Sequence, residues 1–245
     1  MKSVPQSFMQ ERFSSTNVPF VDFQMHTRWT DGSNTVREMY EQAVRVGLSA
    51  MLFSEHARRT SEEWFGRFAA EVRALPELPC RAFVGVETRI EDVYGNIDCT
   101  PAILAQCDMV LASVHRFPDG NGGLRSFESV NPAEAEALEF ALASAALDNP
   151  SVTVLAHPFG MCYRRYKIAP SEKRIRLLIE KAAKTGVAFE VNAYYHPEPW
   201  TMLRWCWQAG AAFSLGSDAH HRDEVGNIHR VLTGKPMVWN RSESS

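Results

Sequence analysis

The sequence predicts an α/β fold built on parallel strands joined by helical crossovers. Three observations lead to it. Seven short, mostly apolar runs recur at 20–25, 50–53, 81–86, 109–114, 153–156, 188–191 and 212–215. Each reads as a strand buried on both faces. Stretches with helical periodicity separate them over the full length, the pattern of β/α units. Seven such strands could close into a barrel or lie in an open doubly wound sheet. No GxGxxG or P-loop follows any of them, so nothing supports a nucleotide-binding sheet of either kind.

Taken in order, residues 1–18 are polar and lack periodicity, and read as an arm. Strand 20–25 leads to a helix over 35–46, with Val36, Met39, Tyr40, Ala43 and Val44 on one face. Strand 50–53 precedes a helix over 62–75 that ends before Pro76. Strands 81–86 and 109–114 follow. The helix over 131–147 opens on Asn131-Pro132, an N-cap with proline at the first helical position. Strand 153–156 leads to a helix over 171–185, which carries Ile175, Leu178, Ile179 and Ala182 and stops at Gly186. Strand 188–191 is followed by a helix over 198–209 that stops at Gly210, and strand 212–215 is the last. Residues 241–245 form a polar, frayed tail. A single domain over 19–240 is expected, since α/β barrels commonly occupy ~200–250 residues.

Composition removes several classes. With 245 residues, 45% apolar and 22% charged, the chain is neither disordered nor fibrous. Its net charge of −3 gives no footprint for holding nucleic acid by charge alone. Five cysteines without a CxxC pair argue against a disulfide framework and fit a reducing compartment. The first residues lack the apolar core of a secretion signal, and no apolar run reaches the ~18 residues of a membrane span. A cytoplasmic location is expected.

The chemistry sits where the strands end. The first runs into Gln24-Met25-His26 and the second into Ser54-Glu55-His56. The third ends Gly85-Val86-Glu87, the fourth Ser113-Val114-His115 and the fifth Ala156-His157-Pro158. The sixth ends Glu190-Val191-Asn192 and the seventh Gly216-Ser217-Asp218-Ala219-His220. Parallel strands of a barrel present all these ends on one face, where such folds place their sites. Five of the eight histidines fall there. One histidine after a strand is usually a satisfied structural residue. Seven consecutive ends carrying imidazoles or carboxylates are different, because clustered ionisable groups need counter-charge. Together they form a ligand set for Zn²⁺, Mn²⁺ or Fe ions.

In this order, DFQMHTRWTDGS, SEH, GVE, SVH, AHP and GSDAH resemble the motifs of the polymerase and histidinol phosphatase (PHP) superfamily, from about Asp22 to about Asn227. The resemblance implies a distorted (β/α)7 TIM-like barrel with two or three divalent ions on its C-terminal face. It also implies phosphoesterase activity. Carried over by position, it gives one ion His26, Glu87 and Asp218, with Gln24 at the remaining place. A second ion would share Glu87 and add His115 and His157; a third would take Asp31, His56 and His220. Gln24 stands where the family has the first histidine of His-x-His, and an amide oxygen is a weaker ligand than imidazole. Glu55 replaces an aspartate and is expected to orient His56 from behind.

A water shared by two such ions loses a proton near neutral pH and becomes the nucleophile. The resemblance thus implies hydrolysis of a small phosphomonoester at a site in which Glu87 and Asp218 are catalytic. Arg28 and Arg164 are the expected catalytic cations for the phosphate, its binding shared with Arg165 and Lys167. Arg116 is a further candidate, and His196 a candidate contact or proton donor for the leaving group. Tyr194, Tyr195 and Trp200 are candidates for a pocket wall or for packing. Two alternatives remain: an amidohydrolase-type C–N or C–O hydrolase using the same ions, and a non-catalytic ligand-binding barrel. The expected partner is a small phosphorylated molecule.

Overall fold

The computed structural model of the chain describes residues 18–234, so the expected arm, apart from Val18, and the expected tail lie outside the described residues. Seven parallel strands run in sequence order: β1 (Val21–Met25), β2 (Ala50–His56), β3 (Arg81–Arg89), β4 (Met109–Ser113), β5 (Val154–Leu155), β6 (Ala188–Asn192) and β7 (Phe213–Gly216). The last meets the first through a parallel bridge, Met25 to Ala219. There the His26 N–H donates to the Ala219 carbonyl at 2.8 Å, and the Ala219 N–H to that of Gln24 at 3.2 Å. Of the two arrangements open to seven parallel strands, the chain adopts the nearly closed barrel. The two-residue β5 is its shortest stave.

The helices α1 (Val36–Val46), α2 (Glu62–Arg73), α3 (Pro101–Leu104), α4 (Pro132–Ala146), α5 (Glu172–Thr185), α6 (Pro199–Ala209) and α7 (Asn227–Thr233) lie between and after the strands. Their ends follow from local chemistry. Thr35 and Glu38 form a reciprocal capping box on α1, which stops at Gly47 in the left-handed region. Asn131 accepts from the Glu134 N–H ahead of Pro132. Gly186 and Gly210 end α5 and α6 with φ of 77° and 70°. Residues Met161–Arg165 form a π-helical turn, and with α3 and α7 this is structure that periodicity did not reveal.

Two strands outrun their apolar stretch. β2 and β3 stay paired beyond 53 and 86, with Ser54 opposite Gly85, Glu55 opposite Val86 and His56 opposite Glu87. His56 and Glu87 therefore stand on the sheet itself, on a more rigid mount than a following loop. Strand alternation puts Val21, Phe23 and Met25 of β1 on one face and Asp22 and Gln24 on the other. All five are buried, so the barrel interior carries a polar column toward its C-terminal mouth.

Candidate metal centre

Glu87 is the hub. It is 1% exposed, and its two carboxylate oxygens face different partners. Oε1 lies 2.9 Å from His115 Nε2 and 2.7 Å from His157 Nε2. Oε2 lies 3.2 Å from His26 Nε2 and 3.6 Å from His56 Nδ1. His26 Nε2 is also 3.1 Å from Asp218 Oδ1. Asp31 stands between His56 and His220, its oxygens 3.4 Å from the Nε2 of each. The His26 ring stacks on those of His56 and His220 at 4.3 and 4.4 Å.

Three overlapping groups of ligand atoms result, each spanning no more than 4.8 Å: His26, Asp31, His56 and His220; His56, Glu87 and His115; His26, Glu87 and Asp218. All eight histidine and carboxylate positions expected from the sequence converge. His157 joins through Glu87. The backbone is held in unusual conformations to achieve this, for His157 has φ of 28° and Asp218 of 53°. Non-glycine residues in that region cost about 1–3 kcal/mol and persist where their surroundings impose them.

The electrostatics follow from packing. Burial opposes charge on His157, but Glu87 outweighs it and lifts the ring to about 9. Burial also opposes charge on His26, and its hydrogen bonds to Asp218 and Glu87 raise it well above the ordinary value. Burial disfavours the Glu87 anion, yet the surrounding His115, His157 and His56 hold it well below the usual carboxylate range. A ring of imidazoles around one buried carboxylate is the arrangement that divalent ions would occupy. Among the described residues His26 Nδ1 is buried with no hydrogen-bond partner, an incomplete polar environment for an all-protein cluster. The imidazole and carboxylate donors thus fit the ions the sequence implies.

Gln24 is fully buried but presents an amide whose oxygen is already taken, 2.6 Å from Asn192 Nδ2, while its NH2 donates to Glu87 Oε2 at 2.9 Å. The Glu55 carboxylate, expected behind His56, spends its hydrogen bonds on Thr27 and Thr30 instead. It accepts from the Thr27 N–H at 2.8 Å, from the Thr27 hydroxyl at 2.7 Å and from the Thr30 hydroxyl, and so ties down the loop that carries Asp31.

The expected cations divide differently. A cavity of about 510 Å³ is lined by Asp31, His56, Glu87, His115, Asp218 and His220 together with Arg58, Arg89 and Arg116. Arg28, Arg164, Arg165 and Lys167 are not among its lining residues. Arg28 Nε donates to the Ser33 carbonyl at 2.8 Å. The Arg164 guanidinium stacks 3.5 Å over Tyr194. Arg165 lies 4.1 Å over Phe127 and 3.7 Å from Glu128. Lys167 is exposed on a residue with φ of 54°. Arg116, the further candidate, does line the cavity, over Phe127 at 4.5 Å and with Nε unpartnered. Arg89 pairs with Asp98 at 3.0 Å.

Arg58 and Arg89 were not singled out, although a signal existed: each stands two residues beyond a strand-end ligand, as Arg116 stands one beyond His115. Arg28 has that spacing too and turns back into its own loop, so spacing alone does not decide.

His196 is buried, with Nδ1 accepting from the Asn192 N–H at 3.0 Å and Nε2 donating to the Pro158 carbonyl at 3.0 Å. Burial lowers it to about 4. Both nitrogens are spent on backbone, which leaves none for a leaving group. Tyr195 stacks on His157 at 4.2 Å and walls both this cavity and a neighbouring one of about 540 Å³, which Tyr194 also lines. Trp200 donates to the Leu232 carbonyl at 3.0 Å and serves packing. Among the described residues, no helix is long and apolar enough to cross a membrane.

Relatives share this chain's sequence over most of its length. It is 29% identical over 235 residues to the DNA polymerase/3'-5' exonuclease PolX of Bacillus subtilis, covering 91% of this chain but 38% of that protein. A probable phosphatase of Proteus mirabilis is 27% identical over 229 residues, covering 86% and 83% of the two chains. One of Pectobacterium carotovorum is 25% identical over 219 residues, covering 85% and 81%. The PHP domain model matches residues 22–194, which hold every centre residue except Asp218 and His220. Those two reach the same centre through the β7–β1 closure. With that match over most of its length, the chain belongs to the PHP domain family.

Proposed function

We propose that the chain is a metal-dependent phosphoesterase that releases phosphate from a small phosphomonoester. The observation that carries this reading is the pairing, in one cavity, of the Glu87-centred ligand groups with three arginines, Arg58, Arg89 and Arg116. Ligand groups alone would suit amide or ester hydrolysis equally. Guanidinium groups match phosphate oxygens in charge and in fork geometry. The phosphatase relatives, matched over about four fifths of their own length, support the same choice.

Ions held by His26, Asp31, His56, Glu87, His115, His157, Asp218 and His220 would supply Lewis acidity and a water of lowered pKa. The chain's own residues do the remainder. Arg116 and Arg58 meet the phosphate oxygens that face away from the ligand groups. Arg89, neutralised by Asp98, braces that wall and contributes less charge. Tyr195 keeps His157 in place by stacking and bounds the space for the alcohol. The test is a panel of phosphomonoesters, amides and carboxylic esters with protein purified without chelator, its metal content read by plasma mass spectrometry. Phosphate release that chelator abolishes and Mn²⁺ or Zn²⁺ restores is expected. Metal-dependent amide cleavage without phosphate release would replace this reading.

A further inference from the structure

The orientation of the Gln24 amide is dictated from outside the centre. Asn192 Oδ1 accepts from the backbone N–H groups of Tyr194 at 2.9 Å and Tyr195 at 3.4 Å. A backbone N–H can only donate, so that end of Asn192 is its oxygen and the other end its NH2. The NH2 lies 2.6 Å from one end of Gln24 and 3.1 Å from Glu190 Oε1. It needs acceptors, so the near end of Gln24 is oxygen. The far end of Gln24 is then NH2, and it meets Glu87 Oε2 at 2.9 Å. Reversing Gln24 would set NH2 against NH2 and oxygen against the Glu87 carboxylate; reversing Asn192 would set oxygen against oxygen at Gln24 and NH2 against the Tyr194 N–H. Buried donors and acceptors left unpaired in this way cost about 1–3 kcal/mol each.

The relay fits only because Gly216 has no side chain. A Cβ there would lie 2.0 Å from Glu190 Oε1 and 3.0 Å from Gln24 Cβ.

We propose that Gln24 is a positioning residue, and not an ion ligand: through Asn192 the Tyr194 and Tyr195 backbone turns its NH2 onto Glu87 Oε2. The inference rests on the metal-centre reading. Its consequence is that the His26, Glu87 and Asp218 group receives no lone pair from position 24. It has one protein ligand fewer than a His-x-His pattern provides. In exchange, the carboxylate that serves four imidazoles gains a fifth partner, with Oε1 directed to His115 and His157 and Oε2 to His26 and His56.

Joint neutron and X-ray maps of the metal-free protein and of Zn²⁺-soaked crystals test this directly. Two deuterons on the Gln24 atom facing Glu87, in both, are the expected result. Deuterons on the atom facing Asn192, in either, overturn it. Asn192→Asp removes the donor to Gln24 and is expected to turn the Gln24 deuterons toward residue 192. An unchanged amide in that variant would overturn the relay. Competition titration with Mn²⁺ alone reads the consequence. Gln24→His is expected to tighten the weakest site by at least the roughly 10–100-fold that even a group hydrogen-bonded to a metal ligand typically changes. An unchanged affinity would overturn the claim that position 24 withholds a ligand. If neither wild type nor variant binds Mn²⁺ or Zn²⁺, the metal-centre reading fails, and the neutron map still decides the role of Gln24.

Discussion

Glu87→Gln keeps the size of the side chain and removes its charge, so it isolates what the buried carboxylate does for the fold. His157 rises from its ordinary 6.5 to about 9 against a burial that pushes the other way, chiefly because Glu87 Oε1 lies 2.7 Å from Nε2. One pKa unit corresponds to about 1.4 kcal/mol, so the raised ring contributes about 3 kcal/mol to stability. The sign follows from linkage. The contribution is fully present below pH 6.5 and is lost as pH climbs through 9. His26, held up by hydrogen bonds to Asp218 and Glu87 over the opposing effect of burial, acts in the same direction.

In Glu87→Gln burial governs His157, and the stabilisation disappears. Urea unfolding of chelator-treated protein at pH 6 and pH 10 measures it. The variant should be about 3 kcal/mol less stable than wild type at pH 6, or roughly 6–12 °C in Tm for a domain of this size, and the gap should close by pH 10. A variant as stable as wild type at pH 6, or a gap of equal size at both pH values, would refute the electrostatic reasoning.

Other outcomes follow from the same contacts. Arg116→Ala and Arg58→Ala should each lower kcat/KM for phosphomonoesters by about tenfold or more, since a lost charge-assisted bond is worth about 1.5–3 kcal/mol, while Arg165→Ala, outside the cavity, should leave steady-state kinetics within twofold. Gly216→Ala should destabilise by at least the roughly 1–3 kcal/mol of ordinary overpacking, read by thermal unfolding, because its Cβ would meet Glu190 Oε1 at 2.0 Å. His196, lowered by burial to about 4, should make wild type lose stability as pH falls from 6.5 toward 4, and His196→Gln should flatten that slope in urea unfolding. A pH–rate profile that follows His196 near neutrality would contradict its placement on the Asn192 and Pro158 backbone.

The convergence of the candidate ligands was legible in the sequence because each position is a local fact. A residue at the end of a parallel strand points into the mouth wherever the strand sits, so His26, His115, His157 and Asp218 could be placed without knowing how the sheet closes. Gly186 and Gly210 ended their helices as expected for the same local reason. Neighbour pairing is less local, and it carried β2 and β3 past their apolar stretches to His56 and Glu87. Of the arginine wall, only Arg116 was within reach of local reasoning, as the residue directly after His115. Arg58, Arg89 and Arg116 belong to three adjacent strands and their loops, and only the curvature of the barrel brings them to one cavity. Their sequence spacing from a ligand does not separate them from Arg28, which spends its Nε on Ser33.

Gln24 shows the division most plainly. Its sequence position identified a departure from His-x-His beside His26. Which of its two polar ends faces the centre depends on Asn192, 168 residues away, and on the backbone N–H groups that orient Asn192 in turn. Strand direction and side-chain chemistry are properties of short segments and survive in the sequence by itself. Donor and acceptor orientation inside a closed barrel is a property of the whole ring of strands, and only the tertiary structure decides it.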